Sequence, residues 1–259
     1  MMSIDVFDAH MEEKGWIIFE QAIEPALVEQ MREDIHKAYA ICREYQTRNG
    51  IDQDTSLTVH HLVGQFDSFL DCLGAYPIYP FIERYFAGQF ILNSFGGAIN
   101  TRDSQSYAQR VHRDIRSFSG DTPLLLNTLV MLDDFTADNG ATWMLSGSHK
   151  AAAKPSDEYF KAHAEQAIAP AGSILMFNSN VWHAGGTNLT EQLRRSVTPM
   201  FSKPFMKQQF DYPRALGYDR GPQLDERLRQ VIGYNARVPA TLDEWYQPPA
   251  KRMYHSNQG

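Results

Sequence analysis

Three stretches of the chain carry side chains whose types and spacing could hold a metal ion with an acid beside it. In "QRVHRDIRS", residues 109–117, His112 and Asp114 stand two apart; His183 lies far downstream in "FNSNVWHAGGTN"; Arg194 and Ser196 follow in "QLRRSVTPMF". On a strand, residues i and i+2 share a face, so His112 and Asp114 would project together. A surface strand carrying solvated charge explains that pair as well as half a metal site does. His183, beside Trp182, reads either as a buried, hydrogen-bonded core histidine or as a third ligand, brought close by the backbone freedom of Gly185 and Gly186. Two imidazoles and a carboxylate on one face of a metal form the facial triad of non-haem Fe(II) oxygenases, which leaves the opposite positions open for a co-substrate and dioxygen.

Arg194 and Ser196 would share one strand face, and strand alternation sends the adjacent Arg195 to the other. A guanidinium inside a barrel is costly unless paired. Its planar fork suits a carboxylate, with a neighbouring hydroxyl adding a third hydrogen bond. The distal carboxylate of 2-oxoglutarate is such a group, and its keto-acid end would chelate iron.

These residues need a scaffold, and the chain is long enough to build one: 259 residues, 43% hydrophobic, which we read as one domain. A formal charge of −7 and the absence of any basic run argue against a nucleic-acid partner. Cys42 and Cys72 have no C-x-x-C spacing, which excludes a disulfide framework and a thiolate zinc site and fits a reducing cytoplasm. The N-terminal residues do not read as a signal peptide, and no run of eighteen apolar residues suggests a membrane partner. The oligomeric state is open.

Residues 14–19 read as a strand. After Glu24-Pro25, the spacing of Leu27, Met31, Ile35 and Ala38 predicts an amphipathic helix of about twenty residues. Helices are expected at 66–74 and 78–87, then strands at 90–95, 107–113, 124–132, 141–145, 172–177 and 193–202, and a helix at 223–232. The fold class is therefore mostly β with flanking helices, around a double-stranded β-helix (jelly roll, cupin-like) core. We divide the single domain 1–259 into helical support (1–88), jelly-roll core (about 89–205) and a C-terminal wrap (206–259).

Through "EEKGWIIFEQAIEPALVEQMREDI", "QRVHRD", "LNTLVMLDDFTADNGATWMLSGSH" (126–149) and "HAGGTN" followed by Arg194, the chain resembles the phytanoyl-CoA dioxygenase family over roughly residues 12–235. The resemblance implies Fe(II), 2-oxoglutarate and O₂ as cofactor and co-substrates, iron ligation by His112, Asp114 and His183, and 2-oxoglutarate binding by Arg194. It extends to Gln109 and Thr142, although Gln109 has the wrong strand parity unless a bulge intervenes and Thr142 could serve strand packing. Two departures stand out. Ser146 replaces a proline frequent in relatives, with an expected effect on loop stiffness alone, and His61 in "VHHL" stands near where relatives often carry an asparagine, and reads either as a hydrogen-bonded structural histidine or as one that approaches 2-oxoglutarate or substrate.

The expected activity is oxidation, as hydroxylation, of a C–H bond in a small or medium natural-product-like or amino-acid-like metabolite, with release of succinate and CO₂. Asp114 argues against halogenation, in which chloride takes the carboxylate's place. Arg116 shares parity with His112 and Asp114 and either reaches a substrate anion, if the strand continues, or faces solvent, while Trp143, Met144, Phe118 and Trp182 either supply apolar walls or pack in the core. The alternative is a cupin-like barrel that binds metal without 2-oxoglutarate; an outward Arg194 would favour it. A soluble interaction module would leave the three metal candidates scattered.

Overall fold

A computed structural model describes residues 2–102, 104 and 107–253. Helix α1 (Ile4–Glu13) starts where the Ser3 hydroxyl accepts the Val6 N–H, and it seats Phe7 in the core. Strand β1 (Trp16–Phe19) follows, then α2 (Pro25–Arg48), whose proline occupies the first turn where no N–H is needed. The predicted apolar stripe is real: Val28, Met31, Ile35 and Ala38 are buried along one face of α2. Next come β2 (Thr58–Val59), α3 (Asp67–Gly74) and α4 (Tyr79–Phe86), the last with Pro80 in its first turn.

The β-rich half comprises β3 (Ile91–Asn100), β4 (Leu125–Met131), β5 (Trp143–Met144), β6 (Glu165–Gln166), β7 (Ile174–Asn178), β8 (His183–Ala184) and β9 (Arg194–Ser202), with α5 (Asp157–His163) before β6. Helices α6 (Tyr212–Leu216), α7 (Glu226–Ile232) and α8 (Leu242–Trp245) complete the chain. Six strands form one sheet in the order β1-β7-β4-β9-β3-β2, three form the other in the order β6-β5-β8, and every pairing is antiparallel. The architecture is the expected jelly roll with flanking helices. No helix among the described residues is long and apolar enough to cross a membrane.

Period-two alternation divides the large sheet into two faces. On β4, β7 and β9, Leu126, Val130, Ile174, Met176, Val197 and Phe201 join α2, α3 and α4 in the main hydrophobic core. Their neighbours Leu129, Met131, Leu175 and Phe177 turn inward against Met144 of the small sheet and Ala167 just after β6. The rest of the interior is a cavity, lined from β9 by Arg194, Ser196, Thr198 and Met200.

The regions assigned to support and wrap both enter this construction. β1 and β2 are members of the large sheet, and Tyr212, Leu228, Val231 and Ile232 from the C-terminal segment are buried in the main core.

Residues 107–113 do not form the expected strand. Tyr107–Gln109 is a 3₁₀ turn, the Gly185 N–H donates to the Ala108 carbonyl at 2.7 Å, and His112 forms an isolated antiparallel bridge with His183. Ile115 is buried against Leu125 and Met200, and that burial draws the chain out of a ladder after one residue pair. The glycines behind His183 do provide close approach. A Cβ on Gly186 would lie 2.5 Å from the Ala141 carbonyl oxygen, a backbone atom that cannot rotate away. Gly186→Ala is therefore expected to cost on the order of 1–3 kcal/mol, read as a lower midpoint in chemical denaturation.

Candidate active site

His112 reaches the site through its bridge to β8: its N–H donates to the His183 carbonyl at 2.9 Å, and the His183 N–H returns the bond at 2.9 Å. The two imidazole centroids are consequently 4.3 Å apart. Each ring is held by its Nδ1, His112 at 2.7 Å from the Arg110 carbonyl and His183 at 3.0 Å from the Val181 carbonyl. A carbonyl only accepts, so both Nδ1 atoms carry hydrogen and both Nε2 lone pairs are free. The Asp114 carboxylate lies between them, 3.6 Å from His112 Nε2 and 3.5 Å from His183 Nε2.

The three candidate ligand atoms, one from each residue, lie within 4.8 Å of one another. Metal–ligand bonds of about 2.1 Å at right angles put neighbouring ligand atoms about 3 Å apart. The observed spacings need only a small contraction to meet that, and a donor set of two imidazoles with one carboxylate fits ferrous iron. Burial pushes the His183 imidazole down from its ordinary value, against the attraction of Asp114, which keeps it neutral and able to ligate.

Asp114 is oriented by a chain of hydrogen bonds. The Asn127 amide donates to its Oδ2, and the Ser179 hydroxyl donates to Asn127 Oδ1 at 2.7 Å. Sequence reasoning missed Asn127, although a signal existed: it shares inward parity with Leu129 and Met131 and is the polar member of that set.

The triad opens into a cavity of about 300 Å³. Arg194, 6% exposed, lines the same cavity with its guanidinium 4.5 Å over the Phe135 ring. Burial lowers its pKa to about 10, so it remains a cation at neutral pH. Its Nε is buried with no hydrogen-bond partner among the described residues. The nearest compensating charge, Asp133, is committed elsewhere: it accepts at 2.7 Å from the guanidinium of Arg195, which points out of the opposite face of β9. An orphaned buried cation is a structural argument for an anionic ligand.

Ser196 and Thr142 are buried and line the cavity; His61 lines it as well. Gln109 does not reach it. The 3₁₀ turn, in place of a bulge, directs its amide to the Ser104 carbonyl at 3.2 Å, beside a side pocket of about 40 Å³ that Arg194 also lines. Arg116 is exposed and outside the cavity, because the strand expected to carry it inward ends at the His112 bridge. Trp143 and Trp182 pack with Leu145 and Phe160 in a separate cluster, Met144 lies in the inter-sheet core, and Phe118 lies under the Arg113 guanidinium. The apolar wall comes instead from Leu129, Phe177 and Met200. Ser146 does more than its loop position suggested: it accepts the Trp16 indole N–H at 2.9 Å and donates to Glu165 at 2.6 Å.

A jelly roll with a His-Asp-His cluster and an inward arginine defines the non-haem iron, 2-oxoglutarate-dependent class of dioxygenases, and this chain is an enzyme of that class. More particularly, it belongs to the phytanoyl-CoA dioxygenase (PhyH) family, whose model matches residues 11–196. An uncharacterized protein of Mycobacterium tuberculosis is 29% identical over 95% of this chain and 92% of its own length. The Fe(II)/2-oxoglutarate-dependent dioxygenase nvfF of Aspergillus novofumigatus is 27% identical over 78% of this chain and 74% of its own length. Among solved structures, the non-heme alpha ketoglutarate dependent epimerase SnoN from nogalamycin biosynthesis shares the fold at a TM-score of 0.59 and 14% identity, covering 76% of this chain and 82% of that one.

Removing the orienting amide should loosen the site without emptying it. Asn127→Leu is expected to weaken Fe(II) binding by about 10–100-fold in an anaerobic titration; unchanged affinity would deny Asn127 its role. A second expectation concerns acid. Burial, then the neighbouring His60, push His61 from 6.5 down to about 4. Between those pH values the unfolded imidazole binds a proton and the folded one does not, so stability falls as pH drops through that window. Denaturation midpoints at pH 7 and pH 5 should differ less in His61→Asn than in the wild type.

Proposed function

We propose that the enzyme hydroxylates a C–H bond of a small molecule, with His112, Asp114 and His183 holding Fe(II) and Arg194 anchoring 2-oxoglutarate through its distal carboxylate. The observation that carries this reading is the buried Arg194 guanidinium, its Nε without a hydrogen-bond partner among the described residues, in the cavity that the triad opens into. It favours the oxygenase over a metal-binding barrel with no co-substrate, since a buried cation with no ligand would destabilise such a barrel for nothing.

When bound, iron couples the oxidation of 2-oxoglutarate by O₂ to that of the substrate: one oxygen atom enters succinate, with loss of CO₂, and the other enters the C–OH product. The chain's own work is positioning. Arg110 and Val181 carbonyls fix both imidazoles with Nε2 toward the metal position, and Asn127 aims the carboxylate. Phe177, edge-on to the His183 ring at 4.8 Å, keeps water from that side. Ser196 and Thr142 are suitably disposed to hydrogen-bond the co-substrate beside Arg194, while Gln109 would act from behind it through the side pocket. His61 is assigned to substrate, and Trp143 and Arg116 to no direct contact. A reducing, cytoplasmic setting agrees with the free state of Cys42 and Cys72.

Anaerobic addition of 2-oxoglutarate to the Fe(II) protein should produce a weak visible charge-transfer band; metal binding without that band would sink the proposal. Arg194→Met should weaken 2-oxoglutarate binding by on the order of 100-fold, the loss of two charge-assisted hydrogen bonds, while iron content stays at the wild-type level.

A further inference from the structure

After the triad and Arg194 are assigned, the remaining cavity wall has a uniform chemistry. Among the described residues lining it, Asp114 and Arg194 are the only Asp, Glu, Lys or Arg. The other polar groups include His60, His61, Ser94, Thr198 and Gln209. A substrate carboxylate, phosphate or ammonium entering here would lose its hydration with no counter-charge left to meet it.

His61 is the most tightly specified of these groups. It follows β2 with φ +57°, a left-handed conformation that a non-glycine residue keeps only where its surroundings enforce it. Two contacts enforce it here. The ring stacks on Phe210 at 4.3 Å and 15°, and its Nδ1 lies 3.2 Å from the Tyr212 hydroxyl.

That hydroxyl settles the tautomer. Tyr212 is buried, and its hydroxyl has one hydrogen to give. Without His61 Nδ1 as its acceptor, a buried O–H would go unsatisfied among the described residues. Nδ1 therefore accepts and Nε2 carries the ring hydrogen, with no protein partner for Nε2 among the described residues. The low pKa of about 4 keeps the ring neutral at pH 7.

We propose that His61 is the specificity-determining residue of this enzyme, its neutral Nε2–H donating to an oxygen acceptor on an uncharged, oxygen-bearing small molecule. The assignment rests on the oxygenase reading, since it takes the wall that iron and 2-oxoglutarate leave free.

Nitrogen-15 spectra of histidine-labelled protein, loaded with 2-oxoglutarate and with Zn(II) as a diamagnetic substitute for iron, test it directly. The His61 signals, assigned by their loss in His61→Gln, should show the Nε2–H tautomer at pH 7; an Nδ1–H tautomer or an imidazolium overturns the proposal. Four matched probes then follow: cyclohexanone, cyclohexanol, cyclohexanecarboxylate and cyclohexylamine. The first two should shift the His61 Nε2–H signal and the charged pair should not. Equal or larger shifts from a charged probe, or no shift from any, overturn it. The charge-transfer band of the Fe(II) protein separates this failure from that of the parent reading. A band missing in the wild type defeats the oxygenase assignment, whereas a band missing only in His61→Gln gives His61 to the co-substrate and defeats this one.

Discussion

The site depends on one backbone interaction, the pair of N–H···O bonds between His112 and His183. Two residues far apart in the chain acquire a fixed separation from it, because antiparallel partners that exchange both bonds hold their Cα atoms about 5.5 Å apart. Side-chain geometry then follows from local hydrogen bonds to Arg110 and Val181, and Asp114 arrives two residues beyond His112 on a chain already turning away. A longer ladder would have fixed the imidazoles equally well. It would also have carried Arg116 into the cavity and left Ile115 without its cluster. The bridge gives the two candidate ligands a common origin without committing the flanking residues to a continuous ladder.

Arg194 presents the complementary problem of a charge held where water is scarce. The adjacent Arg195 shows the ordinary solution, an ion pair with Asp133 reinforced by the Arg195 backbone N–H at 2.7 Å. Arg194, one residue earlier on the same strand, faces the other way, stacks on the Phe135 ring, and has an Nε without a hydrogen-bond partner among the described residues, with the attraction of Asp133 acting on it from a distance. The fold tolerates this because β9 lies inside the large sheet, between β4 and β3, and its outward side chains Val197 and Phe201 are locked into the main core. Stability contributed on the outer face sustains an uncompensated charge on the inner one.

Much of this arrangement is legible in the amino-acid sequence. The α2 stripe, β1, β3, β4, β7 and β9 follow from apolar period, and the opposite facing of Arg194 and Arg195 follows from strand alternation alone. Local pattern fails where tertiary contacts outweigh it. Residues 107–113 have strand composition, yet burial of Ile115 limits them to one bridge. β2, β6 and β8 are two residues long, too short to produce a period, and exist only because a neighbouring strand supplies the partner. Trp143 and Trp182 resemble cavity walls because aromatic residues near candidate site residues invite that reading; Trp143 sits in a two-residue strand and Trp182 just outside one, so neither has a parity that sends it to the outer cluster.

The distribution of work around the cavity also bears on how such a fold changes substrate. The residues proposed for iron come from the His112 segment, β4 and β8, and those proposed for the 2-oxoglutarate carboxylate from β9, all tied by hydrogen bonds or core packing whose disturbance would spread. The opposite wall is built differently. His61 takes its position from Phe210 and Tyr212, in the segment just after the last strand, and Gln209 beside them lines the same cavity. On the proposed reading, replacements there would alter what this wall recognises while leaving the His112, Asp114 and His183 positions in place. The left-handed turn at His61 is the coupling between that segment and β2, so the polarity of the mouth and the conformation of the C-terminal segment must change together.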